Sequence, residues 1–219
     1  MKVTFDLDIE PRVYPFDYPR KLARAFYNRV PSYDRHDDLS LHSIGWIRGH
    51  ADATSRGLVF SESSTWSLGV VAKDILEEFL ASVDDDPVLL PGMKITTARP
   101  VEPPSGRTRY FAESPILARR RDEHLRFDEP EADATLTTSL RKKLEAIGIP
   151  ESVREQVSVA FDTEYDGART KLVQFGDAKF KANVCPVYID APDPLLHEMA
   201  MSAGIGALTG MGLGAILPT

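Results

Sequence analysis

The residue pattern predicts an α+β fold: two tandem β-α-β-β-α-β halves of ferredoxin-like topology, closed by a C-terminal glycine-rich loop. Three observations carry that expectation. Strand-like alternation and helical spacing follow the order strand, helix, strand, strand, helix, strand over residues 1–104. The order restarts after Glu102-Pro-Pro-Ser105 and runs over residues 105–219. The chain then closes on five glycines within the eleven positions from Gly204 to Gly214.

In the first half, residues 3–9 alternate as a strand, and Pro19 opens a helix in which Leu22, Ala25, Phe26 and Val30 keep helical spacing. Residues 39–47, 57–60 and 65–70 read as strands. Residues 72–82 read as a helix with Ile75, Leu76, Phe79 and Leu80 inward, and residues 93–98 form a strand after the turn Pro91-Gly92. In the second half, residues 107–117 are strand-like and residues 132–147 are an amphipathic helix. Leu136, Leu140, Leu144 and Ile147 share its apolar stripe, and Gly148 with Pro150 stops it. Strands are expected over residues 157–161, 170–175 and 179–189, the last two joined as a hairpin through Gly176-Asp177. A short helix over residues 194–202 and a closing strand from Met211 to Leu217 complete the half.

Composition narrows the function classes. A chain of 219 residues with 42% hydrophobic content can bury its own core. The single Cys185 excludes an internal disulfide and a multi-cysteine zinc site, and a lone Cys before a Pro reads as a small buried hydrophobe. No charged leader followed by an apolar run opens the sequence, which points to the cytoplasm. The net charge of −7 requires any nucleic-acid site to be local. Cations gather after residue 106, in Arg119-Arg-Arg121, Arg126, Arg141-Lys-Lys143, Arg169, Lys171, Lys179 and Lys181. For any one of these clusters the plainer reading is a solvated surface of mixed charge.

Glycines at this density signal special backbone conformations or a close approach of main chain. A dinucleotide-binding turn needs a helix after the glycines and an acidic residue about twenty positions on, and neither follows. A glycine-faced membrane helix has in its favour the lack of charge after Glu198 and the spacing of Gly206, Gly210 and Gly214. It is poor in Leu, Ile, Val and Phe and has no flanking Lys or Arg. The favoured reading is a loop whose amides face phosphate oxygens, followed by the closing strand.

An ordered series of landmarks resembles the CRISPR-associated repeat-processing endoribonucleases of the RAMP superfamily. The series is Arg35-His-Asp-Asp-Leu-Ser-Leu-His-Ser43, Gly92-Met93, Ser114-Pro-Ile116, Thr170-Lys-Leu-Val173, Cys185-Pro-Val187 and the G-x-G-x5-G-x-G skeleton of the glycine ladder. Together these span roughly residues 20 to 217. The resemblance implies a tandem ferredoxin-like fold and cleavage of CRISPR repeat RNA in a precursor transcript to release guide RNAs. It implies no metal and no cofactor, and the sequence has no evident Asp, Glu or His cluster at ligand spacing. The implied partners are the repeat RNA and a CRISPR effector complex, with no membrane, for a monomer or a homodimer. The alternative is a catalytically silent subunit that grips guide RNA inside such a complex.

Cleavage without metal needs a base for the ribose 2′-OH, charge stabilisation at phosphorus and an acid for the leaving oxygen. Histidine suits the first and last steps because its pKa lies near working pH. Among His36, His42, His50, His124 and His197, the resemblance favours His36, with His42 on the following strand as second candidate. Tyr27 and Tyr33 are candidates to bond the scissile phosphate or orient the base. Lys171, Lys179, Lys181, Arg119 and Arg120, with Gly204, Gly206, Gly210, Gly212 and Gly214, are the candidate RNA contacts. Many relatives carry a polar or basic residue inside the loop, whereas the interior here, Ala207-Leu208-Thr209, offers amides and one hydroxyl but no cation.

Overall fold

A computed structural model describes residues 1–33, 39–61 and 63–219. It runs β1 (Lys2–Ile9), α1 (Tyr18–Arg29), β2 (His42–Ile44), β3 (Ala51–Thr54), β4 (Gly57–Phe60), β5 (Ser64–Val70), α2 (Lys73–Asp85), β6 (Val88–Leu90) and β7 (Met93–Pro100). It continues with β8 (Gly106–Ala112), β9 (Ala118–Arg120), β10 (Glu123–Leu125), α3 (Ala132–Ala146), α4 (Glu151–Arg154) and β11 (Ser158–Phe161). Then come β12 (Arg169–Phe175), β13 (Ala178–Val184), β14 (Val187–Ala191), α5 (Pro194–Ala203), a 3-10 turn at Thr209–Met211 and β15 (Ile216–Pro218).

Two antiparallel sheets carry the fold, ordered β2-β5-β1-β7-β6 and β11-β14-β8-β15. Within each β-α-β-β-α-β unit the spatial order is second, third, first, fourth strand, the ferredoxin-like arrangement. Each unit also inserts a hairpin between its second and third strands, β3–β4 in one and β12–β13 in the other. The alternation in β1 puts Val3, Phe5, Leu7 and Ile9 into the first core, where Phe5 stacks on Trp66 of β5. In α1, Tyr18, Leu22, Ala23 and Phe26 are buried, and its last turn is tied down by Arg29, which donates to the carbonyls of Ser82, Asp86 and Val88.

Four predicted elements change. The strand expected over 179–189 divides at Cys185-Pro186, because proline lacks the N–H that a ladder needs. β13 therefore stays in the hairpin while β14 enters the large sheet between β11 and β8. The strand expected over 39–47 is confined to His42–Ile44, and that over 107–117 ends at Ala112. The closing strand is Ile216–Pro218 rather than Met211–Leu217, since Gly212 and Gly214 take φ of +91° and +67°, outside the extended region. The strands β3, β6, β9 and β10 have four residues or fewer, too short for their periodicity to stand out. The glycine segment is not a helix, and no helix among the described residues is long and apolar enough to cross a membrane.

Each half has its own apolar core, and a smaller third one joins Leu117, Val173, Phe175, Ala182 and Leu213. That third core seats the β12–β13 hairpin on the glycine segment. Across the halves, the buried Lys2 ammonium lies 2.9 Å from Glu113 Oε2, which also accepts from the Ser67 hydroxyl. Ser43 Oγ donates to Met201 O at 3.0 Å, and Trp46 Nε1 donates to Gly212 O at 2.6 Å.

Two glycine substitutions separate backbone conformation from space. A Cβ on Gly214 would overlap the Ile205 carbonyl oxygen, whereas one on Gly148, with φ of +83°, meets nothing within 4 Å. Gly148→Ala should cost only the left-handed penalty, about 1 kcal/mol. Gly214→Ala should cost about 3 kcal/mol or more, or prevent folding. Urea unfolding of the two variants measures the difference, and equal losses would contradict the packing described.

Candidate functional site

His42 begins β2, opposite Val70 of β5, and its residue is 1% exposed. Tyr27 follows the buried Phe26 on α1, and Tyr33 lies just beyond that helix. The Tyr27 hydroxyl is 3.0 Å from His42 Nε2, and the Tyr33 hydroxyl is 2.8 Å from Nδ1. The two phenol rings meet the imidazole nearly edge-on, at 86° and 84°, while Phe26 stacks against it at 5.2 Å. Burial, reinforced by the Lys143 charge and opposed by a backbone hydrogen bond at Gly210, pushes the His42 pKa down to about 3. The ring is therefore neutral near pH 7. A neutral imidazole has one donor and one acceptor nitrogen, so one tyrosine gives it a proton while the other accepts one. Exchange of tautomer would reverse the two roles.

The glycine segment closes over this cluster from the other half. Lys143 of α3 is buried beneath it, donating to Ala203 O at 2.8 Å, Gly204 O at 3.1 Å and Thr209 Oγ1 at 3.0 Å. Burial lowers the Lys143 pKa to about 7. The next residue, Gly210, packs so closely on His42 that a Cβ would lie 2.5 Å from Nε2. The segment thus has no cation of its own, and α3 supplies one from below.

The amides of this segment turn inward. The N–H groups of Gly204, Ile205, Ala207, Leu213 and Gly214 donate to the carbonyls of Ala200, Gly214, Leu117, Leu208 and Pro115, and that of Ala215 donates to Ser114 Oγ. The expected row of amides facing phosphate is largely replaced by internal bonds, because the segment is wedged between the halves. Gly204, Gly206, Gly210 and Gly214 serve close packing, Gly212 receives Trp46, and Gly210 also borders an open space.

That space is a cavity of about 440 Å³ lined by Arg20, Ala23, Arg24, Tyr27, Asn28, Gly210 and Met211. Arg20, Arg24 and Asn28 recur at i, i+4 and i+8 along the exposed face of α1. Tyr27 therefore has its hydroxyl on His42 and its side chain at a cavity wall beside two guanidinium groups. A second tyrosine–histidine pair, Tyr110 with His197 at 2.7 Å, is fully buried, and His197 Nε2 contacts Ala191 O at 3.1 Å. It is a satisfied core pair that lines none of the cavities described.

The other sequence candidates spread over two faces. His36 lies outside the described residues. Lys171 of β12 places its ammonium 4.7 Å above the Trp46 ring, where partial burial and then the Arg169 charge lower its pKa. Lys179 and Lys181 are exposed on β13. Arg119 and Arg120, with Arg121 and Lys142, surround a separate cavity of about 460 Å³ against α3. Lys143, grouped by sequence with Arg141 and Lys142 as a surface cation, is instead internal. Its position three residues after Leu140 and beside Leu144 on the apolar stripe was a signal of that burial. Arg20, Arg24 and Trp46 were not singled out, although the spacing of the two arginines with Asn28 marks one helix face. Cys185 is buried with its thiol pKa pushed up to about 12, as an inert core residue.

A family model described as CRISPR associated protein Cas6, C-terminal, matches residues 101–217. No curated protein matches the chain in sequence. Several solved structures share its fold from end to end. One described as an RAMP protein binding different RNA substrates is 14% identical, with a TM-score of 0.80, covering 100% of this chain and 99% of that one. The product of a Cas6-related gene from Pyrococcus furiosus is 12% identical, with a TM-score of 0.77 and coverage of 100% and 98%. A CRISPR associated protein Cas6 is 16% identical, with a TM-score of 0.78 and coverage of 100% and 99%. At these identities the likeness establishes the fold.

The depressed His42 pKa sets an acid sensitivity. The unfolded ring takes up a proton near pH 6.5 and the folded ring near pH 3, so His42's contribution to stability is complete above about 6.5 and is lost as pH falls toward 3. Between pH 7 and pH 4.5 this amounts to a loss on the order of 2 kcal/mol. Urea titrations at the two pH values should show a smaller acid-induced loss in His42→Gln than in wild type. Equal losses would mean that the ring titrates normally.

Proposed function

The chain belongs to the Cas6 family of CRISPR-associated proteins, and from that premise we propose that it is a metal-independent endoribonuclease that cleaves CRISPR repeat RNA into guide RNAs. Attack of a ribose 2′-oxygen on the adjacent phosphorus would leave a 2′,3′-cyclic phosphate and a 5′-hydroxyl. The observation that carries this reading is the Tyr27–His42–Tyr33 relay, whose Tyr27 end lines a cavity beside Arg20 and Arg24.

In the proposed mechanism Tyr27 hands its proton to His42 Nε2 as it takes the proton of the 2′-OH. The cations of Arg20 and Arg24 stabilise the extra negative charge of the phosphorane. A bound phosphate opposes the effect of burial and raises the basicity of His42 while it is needed. The imidazolium so formed sits in a place that disfavours charge, and it readily returns a proton for the leaving 5′-oxygen. His36 is the competing general base. The exposed cations Lys171, Lys179, Lys181, Arg119 and Arg120 would hold the flanking RNA. Residues 1–104 would thus bring the acid–base groups, and residues 105–219 the glycine segment and most of the RNA-holding cations.

One observation favours the second reading, a guide-RNA-binding protein that does not cut: His42 is 1% exposed with both ring nitrogens engaged, as in a core histidine. Labelled cognate repeat RNA in excess EDTA separates the two. Wild type should give a single cut ending in a cyclic phosphate, and Tyr27→Phe should slow it about 100-fold with binding intact. Loss of cutting in His36→Ala with full activity in His42→Ala would move the base to His36. Tight binding without any cut by wild type would establish the binding protein instead.

A further inference from the structure

A third cavity, of about 740 Å³, lies on the other side of Arg20, between the start of α1, β4 and the β12–β13 hairpin. Its aromatic lining is Phe16, Tyr18, Trp46, Phe60 and Phe175. Tyr18 meets Trp46 and Phe60 edge-on, at 70° and 79°, so the rings form a braced, rigid wall. Trp46 is held from behind by its bond to Gly212 O. Two large apolar side chains in the lining are left in water, Phe16 at 58% and Leu172 at 59% exposure. Exposed apolar surface around a concave site marks a place where something docks.

The chemistry of the lining selects the occupant. Lys171 and Arg20 bring two positive charges, against the one carboxylate of Asp17, to a cavity lined largely by apolar and aromatic side chains, with the Lys171 ammonium over the Trp46 ring. Every residue from Lys171 to Gly176 contributes to the wall. Among the described residues β12 pairs only with β13, so its other backbone edge offers N–H and C=O groups outside that ladder. Aromatic surface, hydrogen-bonding edge and cations together match one unstacked base and its phosphates. Arg20 also lines the Tyr27 cavity, so the two spaces adjoin. Arg20 and Tyr27 are seven residues apart on α1, about 10 Å along the helix.

We propose that this cavity captures one splayed-out base of single-stranded RNA a few nucleotides from the scissile phosphate, thereby setting which phosphodiester reaches Tyr27. The proposal rests on the RNA reading above and adds a specificity determinant to it. Stacking on such a wall would be indifferent to base identity, and selectivity would come from the β12 edge.

The test uses the full chain and repeat RNAs in which a single abasic nucleotide is stepped along the strand on either side of the cut. One position should weaken binding roughly 10- to 100-fold, and the others should do little. A variant carrying Phe16→Ala and Leu172→Ala, two exposed positions, should bind intact RNA more weakly and lose its sensitivity at that one position. With 2-aminopurine placed there, wild type should quench its fluorescence more than the variant does. Equal affinity for all abasic RNAs would overturn the proposal, as would a variant that keeps the same sensitivity. Binding without cleavage would defeat the nuclease reading and leave the base-capture result to stand or fall by affinity alone. Failure to bind any repeat RNA would defeat both.

Discussion

Everything that meets at His42 depends on one close approach between two stretches of main chain. Ile205 N–H donates to Gly214 O at 2.8 Å, and Gly214 N–H donates to Pro115 O at 2.9 Å. These bonds pinch residues 205–214 into a closed loop, and only a residue without a side chain fits at Gly214. With the neck of the loop fixed, its tip is fixed too: Thr209 falls on Lys143 and Gly210 falls on His42. The glycine ladder therefore acts mainly as a structural clasp. It lets the second half press backbone, rather than side chain, against the histidine of the first.

The clasp also governs the electrostatics. Lys143 lies in the same water-poor interior as His42: burial lowers the pKa of each, and the Lys143 charge lowers that of His42 further. Lys143 keeps three acceptors and, among the described residues, no carboxylate, so dipoles are what balance its ammonium there. Lys2, buried to the same degree, has Glu113 beside it. The contrast matters because burial, with that cation adding to it, keeps the imidazole neutral, a state that a nearby anion would oppose. A phosphate in the Tyr27 cavity would be such an anion.

Much of this was written in local sequence. The alternation of β1, the stripe of α3 and the restart after residue 105 gave the tandem fold, because long periodic elements declare their buried face. Tyr27, Tyr33 and His42 were legible as candidates through residue type and the resemblance. What could not be read was their meeting: fifteen residues separate Tyr27 from His42, and Gly210 is farther still, so only the sheet order and the loop bring them together. The inward turn of the loop amides was hidden for the same reason, since their acceptors at Leu117 and Pro115 are remote in the chain. Lys143 was misread because charge outweighed its place on an apolar stripe.

The two halves share a topology, and each holds a buried histidine bonded to a tyrosine, yet they are not functionally equivalent. In the second half, His197 is closed in by Tyr110 and a backbone carbonyl, and any proton it carries has no route to solvent through them. In the first half, the phenol partner Tyr27 stands at a cavity wall with arginines one and two turns away. Burial alone makes a histidine neutral; burial behind a phenol at the wall of a cationic cavity would, in the proposed mechanism, make it a proton reservoir within reach of substrate at one remove. That difference arises from the edge of the sheet. β2 is a short edge strand, so α1 and the glycine loop can approach His42 from two sides without covering Tyr27.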